Sequence, residues 1–140
     1  MKKKGLWVLG GSILIVLVAL SGVWAHMVFS INFNPTSFSI TEAGVYYCDV
    51  TIDPLYEKVG FVLSVDQNSL PENVHAFFMP PVGFFKYAND PPQTIKLIII
   101  AVGQGQGSGQ MVCNLTQIIP PYDKDEHTIY GPYLSVNISH

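Results

Sequence analysis

Cys48 and Cys113 are the only thiols in the chain, and their pairing is the first chemical question it poses. Three states are open to them: a disulfide, two buried thiols, or two metal ligands. Neither has a His or a second Cys at the short spacings that zinc sites use, so a metal role is poorly supported. A disulfide offers the most, because closing a loop of this size stabilises a small domain by roughly 3–5 kcal/mol in a chain-entropy account. The expected assignment is a structural disulfide between Cys48 and Cys113.

The four histidines are His26, His75, His127 and His140. Cleavage after Ala25 would leave His26 with a free amine beside its imidazole, the bidentate end of a copper brace. A second His would have to join it, and none of the other three sits in a motif. A cupredoxin site is disfavoured, since Asn-Leu-Thr-Gln follows Cys113 with no His or Met ligand in register. Asp123, Asp125, Glu126 and His127 lie close together, and carboxylates at alternate positions can bind calcium. The Asp/Asn-Gly framework of a dedicated site is missing, so this stretch reads as a solvated hairpin loop. Nothing in the sequence places a second carboxylate opposite it for acid–base work. There is no Gly-x-Ser-x-Gly elbow. The run Gly103 to Gly109 lacks the Lys-Ser/Thr ending of a phosphate loop and opens no helix, so it reads as a flexible connection. No catalytic residue, metal ligand or cofactor is assigned, and a non-enzyme is expected.

Two further features concern surfaces. Asn114-Leu115-Thr116 and Asn137-Ile138-Ser139 are N-glycosylation acceptors by pattern, whereas Asn34-Pro35-Thr36 is disqualified by its proline. The aromatic set Phe77, Phe78, Phe84, Phe85 and Tyr87 would form an exposed contact patch if carried on a loop. Folded back, the same set would plug one end of the domain.

The elements that carry these residues emerge from composition and period. The chain has 140 residues, room for a leader and one domain. Lys2, Lys3 and Lys4 head an uncharged run, Leu6 to Trp24, that reaches the roughly 18–20 residues needed to span a bilayer. Three readings of this leader stand: a signal cleaved after Val23-Trp24-Ala25, a retained anchor using residues 5–25, or a pilin-like leader cut at Lys4-Gly5-Leu6. Each exports the rest of the chain to a compartment where thiols can pair. Of seven basic residues three lie in the leader, leaving four against ten acidic ones, a net charge of about −6. That excludes nucleic acid as a partner.

From Met27 onward the period is two. Val45 to Ile52 puts Tyr46, Cys48, Val50 and Ile52 on one face and Val45, Tyr47, Asp49 and Thr51 on the other. Val59, Phe61, Leu63 and Val65 share an inward face, as do Met111, Cys113 and Leu115, and then Leu134, Val136 and Ile138. Val28 to Phe33, Thr94 to Val102 and Val74 to Met79 complete about seven strands, the first open to continuation by Phe38 to Ile40. Asn68 to Pro71, Pro80 to Pro92, Gly103 to Gly109 and Pro120 to Pro132 read as separators. In Thr94 to Val102, Ile98 and Ile100 are apolar on the face opposite Leu97 and Ile99. Such a strand is covered on both faces or waiting for a cover.

Seven short strands at this spacing predict an all-β antiparallel sandwich, with residues 1–26 as leader and 27–140 as the domain. Asn34 to Ile40, Tyr46 to Ile52 and Val59 to Val65, with Cys on inward positions of the second and the second-to-last strand, resemble the immunoglobulin-like modules of archaeal and bacterial surface proteins. The resemblance implies an inter-sheet placement of the two cysteines. It departs from antibody-type domains in having no Trp on the third strand and Met111 two residues before Cys113. Architecture alone carries over. The expectation is a non-catalytic, membrane-tethered domain with its globular part extracytoplasmic, a subunit of a cell-surface, virion or membrane assembly partnered by other protein subunits. A pilin-like filament subunit and a secreted copper protein using His26 are the rivals, and no small-molecule ligand is indicated.

Overall fold

The computed structural model describes residues 29–54, 59–84, 91–119 and 123–139. The leader, with His26 and residues 5–25, lies outside them, as do Phe85, Tyr87 and His140. Among the described residues nine strands run in the order β1 (Phe29–Asn34), β2 (Ser37–Ile40), β3 (Gly44–Pro54), β4 (Gly60–Val65), β5 (Val74–Met79), β6 (Val82–Phe84), β7 (Gln93–Ala101), β8 (Gly105–Ile119) and β9 (Asp123–Ile138). A short 3-10 turn at Gln67–Ser69 separates β4 from β5. Among the described residues no helix is long and apolar enough to cross a membrane.

The strands form two sheets, one of four in the order β1-β3-β7-β5 and one of five in the order β2-β9-β8-β4-β6. All pairs are antiparallel except β2 with β9. The period-two patterns explain why the sheets stack. Cys48, Val50 and Ile52 from β3, Ile95, Leu97 and Ile99 from β7, and Val74, Ala76 and Phe78 from β5 are buried on one inner face. Phe61 and Leu63 from β4, Met111, Cys113 and Leu115 from β8, and Leu134, Val136 and Ile138 from β9 meet them from the other. Burying each large side chain contributes about 1.5–3 kcal/mol, so this inter-sheet layer is the principal source of stability. The inward faces expected for the second, third and last strands are the ones observed.

Strand reaches into three expected separators. The glycine-rich run from Gly103 to Gly109 reads as a flexible connection, but β8 begins at Gly105 and pairs with β9 from there. Its alternate glycines make room for neighbours. A Cβ on Gly105 would sit 2.8 Å from the Asn73 side chain, and one on Gly107 would sit 3.2 Å from Pro71. The segment after the 3-10 turn lies against the strand there. Pro120 to Pro132 is likewise mostly β9. Pro132 is tolerated because the β8–β9 register shifts between Gln110 and Val112, leaving Gly131 and Pro132 opposite Met111 in a bulge. A Cβ on Gly131 would lie 3.2 Å from both Cys113 Sγ and Met111 Sδ, so the chain passes closely over the core here. Finally, β6 forms inside the proline-bracketed stretch as a three-residue edge strand, the position where neighbouring prolines cost least. Its Gly83 lies against the Phe61 ring, which fills the space a Cβ would need.

Candidate interaction surface

The strand pairings assemble a surface that no single segment announces. Outward residues of β3, β7 and β5 fall into three levels across the four-stranded sheet: Val45–Ile100–His75, Tyr47–Ile98–Phe77 and Asp49–Lys96–Met79. Directly opposed side chains in such ladders stand about 4.5–5.5 Å apart at Cβ, so each level is a row of contacts. Tyr47 is 59% exposed, Met79 52%, Val45 49% and Phe77 40%, with Ile98 and Ile100 half-buried between them. Lys96 and Asp49 of the third level are the only Lys and the only carboxylate among these nine residues, and His75 stands in the first. Lys96 Nζ and Asp49 form an ion pair across β7 and β3, which leaves the third level neutral.

The outer face of the five-stranded sheet has a different chemistry. Its levels read Ser39–Ser135–Ser108, Thr128–Asn114–Ser64 and Asn137–Gln106. Exposed apolar residues exist there too, namely Val62, Val82, Tyr130 and Tyr133. Val62 and Val82 adjoin at the far edge, in a level shared with Thr116 and Glu126. The tyrosines lie on either side of the bulge. Both sequon asparagines, Asn114 and Asn137, are exposed on this face, as the alternation predicts.

The aromatic set expected to form one patch is divided. Val74 to Met79 is a strand, so Phe77 points outward while Phe78 is buried to 3% exposure and packs near Phe33 with ring centroids 6.4 Å apart. Phe84 ends β6, in the other sheet, and Phe85 and Tyr87 lie outside the described residues. Phe77 thus joins Tyr47 and Ile98 rather than its sequence neighbours. The two-faced apolar pattern at Ile98 and Ile100 marks the centre of this surface. Alternation alone puts the flanking Val45 and Tyr47 opposite Cys48, but their contact with β7 depends on long-range pairing.

The edge beside this surface is blocked at its middle. In β5 the backbone of Ala76 faces away from β7, and the Gln67 side chain occupies that position. Its Nε2 donates to Ala76 O (2.7 Å) and its Oε1 accepts from Ala76 N (3.4 Å). One side-chain amide thereby takes the place of a neighbouring strand. The turn that carries Gln67 is itself held: Asn68 N donates to Asp66 Oδ1 (3.0 Å), Ser69 Oγ donates to Asp66 O (2.6 Å), and Val112 N donates to Ser69 Oγ (3.0 Å).

The remaining chemistry-bearing residues do not converge. Cys48 on β3 and Cys113 on β8 are buried in facing sheets, as the resemblance implies, but the structure holds them as free thiols and not in the expected disulfide. Burial pushes the Cys48 thiol up to about 11, and burial with Cys48 close by pushes Cys113 up to about 12. Cys48 Sγ donates to Pro35 O at 3.4 Å. Asp123 to His127, expected as a loop, opens β9. There Gln117 Nε2 donates to Asp125 Oδ2 (3.3 Å), and His127 is buried. His75, by contrast, is exposed on the opposite sheet, so these two histidines serve no common copper site. Among the described residues no group of His, Cys, Asp and Glu is arranged to hold a metal.

Comparison with known proteins adds likeness of architecture. No family model matches the chain, and no curated protein matches it. Solved structures similar to it include the PapD-like domain 7 of human CEP192, at 12% identity over 77% of this chain and 84% of that one, with a TM-score of 0.45. Murine CRIg is similar at 14% identity over 80% and 98%, TM-score 0.39. So is the BIgI domain of the S. agalactiae beta protein, bound in that structure to CEACAM1, at 10% identity over 80% and 99%, TM-score 0.37. The strand order of this chain's own sheets, β1-β3-β7-β5 against β2-β9-β8-β4-β6, is that of an immunoglobulin-like sandwich.

Proposed function

We propose that this chain is a non-catalytic contact module: an exported, membrane-tethered immunoglobulin-like domain that works as a subunit of a cell-surface, virion or membrane assembly. The observation that carries this is the neutral apolar surface of Tyr47, Ile98 and Phe77 with Val45, Ile100 and Met79. A monomer gains nothing by leaving such a face in water, whereas an assembly gains by covering it. Tethering rests on the lysine-headed run ahead of β1. Export would let Cys48 and Cys113 close an inter-sheet disulfide, each thiol losing a proton and the two electrons passing to an oxidised dithiol–disulfide exchange partner. It would also let sugars attach at Asn114 and Asn137. Both lie on the sheet opposite the apolar surface, so glycans there would leave it clear.

The test begins with the native chain. Membrane fractionation and external protease should find the domain outside the lipid barrier, and N-terminal sequencing then sorts the forms. Met1 indicates a retained anchor, Leu6 a pilin-like subunit, and His26 a secreted domain. Recovery from the cytosol as a monomer that turns over a substrate would end the proposal.

A further inference from the structure

We infer that the surface of Tyr47, Ile98 and Phe77 receives a second copy of this same chain, docked face to face across a two-fold axis that runs along the strands between β3 and β7. This rests on the contact-module reading and names the partner. Area is the first support. Val45, Tyr47, Phe77, Met79 and Val102 are each at least 40% exposed. With Ile98 and Ile100 they offer on the order of 500 Å² per copy, near the upper end of patches found on monomers. Two such faces together present about 1,000 Å² before any polar rim is counted, the least that a specific interface clears. Sheet faces also stack readily, about 10 Å apart.

Charge complementarity is the second support, and it selects the axis. A two-fold along the strands keeps every level at its own height and exchanges β3 with β7. Asp49 of one copy then lies over Lys96 of the other, and Lys96 over Asp49, so the two ion pairs become a ring of alternating sign. Tyr47 meets Ile98 and Val45 meets Ile100 in the same operation, while Phe77 and Met79 of β5 are carried over the β1 side of the other copy and flank this central contact. A two-fold across the strands would instead invert the levels and set the charged one against an apolar one, which costs desolvation without a partner. Pairing through the β5 edge is blocked at Ala76 by the Gln67 amide.

The charged level gives a direct test with the full chain in mild detergent, its protein mass followed by sedimentation over a range of concentrations. Wild type should be a dimer. Tyr47→Glu should weaken association by about a hundredfold or more, the loss expected on placing a charge at the centre of an apolar contact. Tyr130→Glu, on the other sheet, should leave the dimer unchanged. Asp49→Lys makes the level wholly positive and Lys96→Asp makes it wholly negative. Each variant alone should self-associate more weakly, and the two mixed should form heterodimers. A wild type that stays monomeric throughout overturns the inference. So does a dimer indifferent to Tyr47→Glu and to both charge variants, since the leader would then hold it together. A monomer that is nonetheless recovered from membranes cross-linked to a different protein overturns the dimer and leaves the contact-module reading standing. Cytosolic recovery of the chain overturns the tether.

Discussion

On the four-stranded sheet the outward level through Tyr47 is tyrosine, isoleucine and phenylalanine. On the five-stranded sheet the level through Ser135 is three serines. Both sheets bury one face by alternation, and neither needs its second face covered in order to stack on the other. The difference therefore lies outside the demands of folding. The five-stranded sheet follows the rule for a sheet with one solvated side along its Ser, Thr and Asn levels, and its exposed Val62, Val82, Tyr130 and Tyr133 are set at the far edge and beside the bulge. The four-stranded sheet breaks it at its centre, where β7 is apolar on both faces. A sheet that leaves apolar side chains uncovered on its second face is the one that meets a partner under the proposed function.

Stability measurements on neighbouring residues of β7 can break that distinction most sharply. Leu97→Ala removes a fully buried side chain and should cost about 2–5 kcal/mol in denaturant unfolding. Ile98→Ala, one residue on but facing outward, should cost about 1 kcal/mol or less in dilute monomer. If both cost alike, and the cost of Ile98→Ala grows with protein concentration, the outer face is already part of the folded unit through association.

A second difference is expected between low and high pH. The thiols of Cys48 and Cys113 are raised to about 11 and about 12 in the folded chain against an ordinary value of 9.0. The folded state therefore holds protons that the unfolded state releases. Their stabilising effect is complete below about pH 9 and declines as pH rises through 11 and 12. Thermal unfolding of reduced wild type should show an alkaline loss that a Cys48→Ala, Cys113→Ala double variant lacks. Material carrying the disulfide has no thiol to titrate and should show none of it. The same measurement thus reports which state the two cysteines reach in native material.

Gln67→Ala should cost about 1–2 kcal/mol, since it removes two hydrogen bonds from a partly buried backbone position. Its second consequence bears on the two faces. With the β5 edge open beside Phe77 and Met79, chains should add to one another by strand pairing, seen as growth in size by light scattering. An unchanged size distribution would show that the edge has a protection besides Gln67.

Much of this architecture is legible from the residues, and the parts that are not share a cause. The inward sets Cys48-Val50-Ile52, Phe61-Leu63-Val65 and Leu134-Val136-Ile138 can be read because a period of two is local. Asn114 and Asn137 can be placed outward for the same reason. Gly105 to Gly109 cannot be read as strand, since its glycines answer to Asn73 and Pro71, far away in the sequence. Pro132 cannot be placed in β9, because a bulge is a property of two strands together. Phe77 and Phe78 look like one group by adjacency, whereas in a strand adjacency sends side chains to opposite sheet faces. The contact of Tyr47 with Ile98 needs the register of β3 on β7, which no stretch of either strand contains.

The smallest expected effect is also the one that tells the covered face from the uncovered one. Lys96 and Asp49 pair across the outer ladder with both side chains about half exposed in a single copy. An ion pair in that setting contributes about 0–1 kcal/mol, because water screens it and two side chains must be ordered to make it. Lys96→Ala should therefore change the unfolding free energy of dilute protein by less than about 1 kcal/mol, and added salt should shrink the difference further. In the face-to-face dimer the same pair loses its water and gains a second partner, so leaving Asp49 alone there becomes expensive. The variant should then be nearly silent in dilute protein and harmful where copies associate. A loss of equal size at every concentration would mean that the pair matters to the fold itself, and the outer surface of this sheet would have to be counted with its interior.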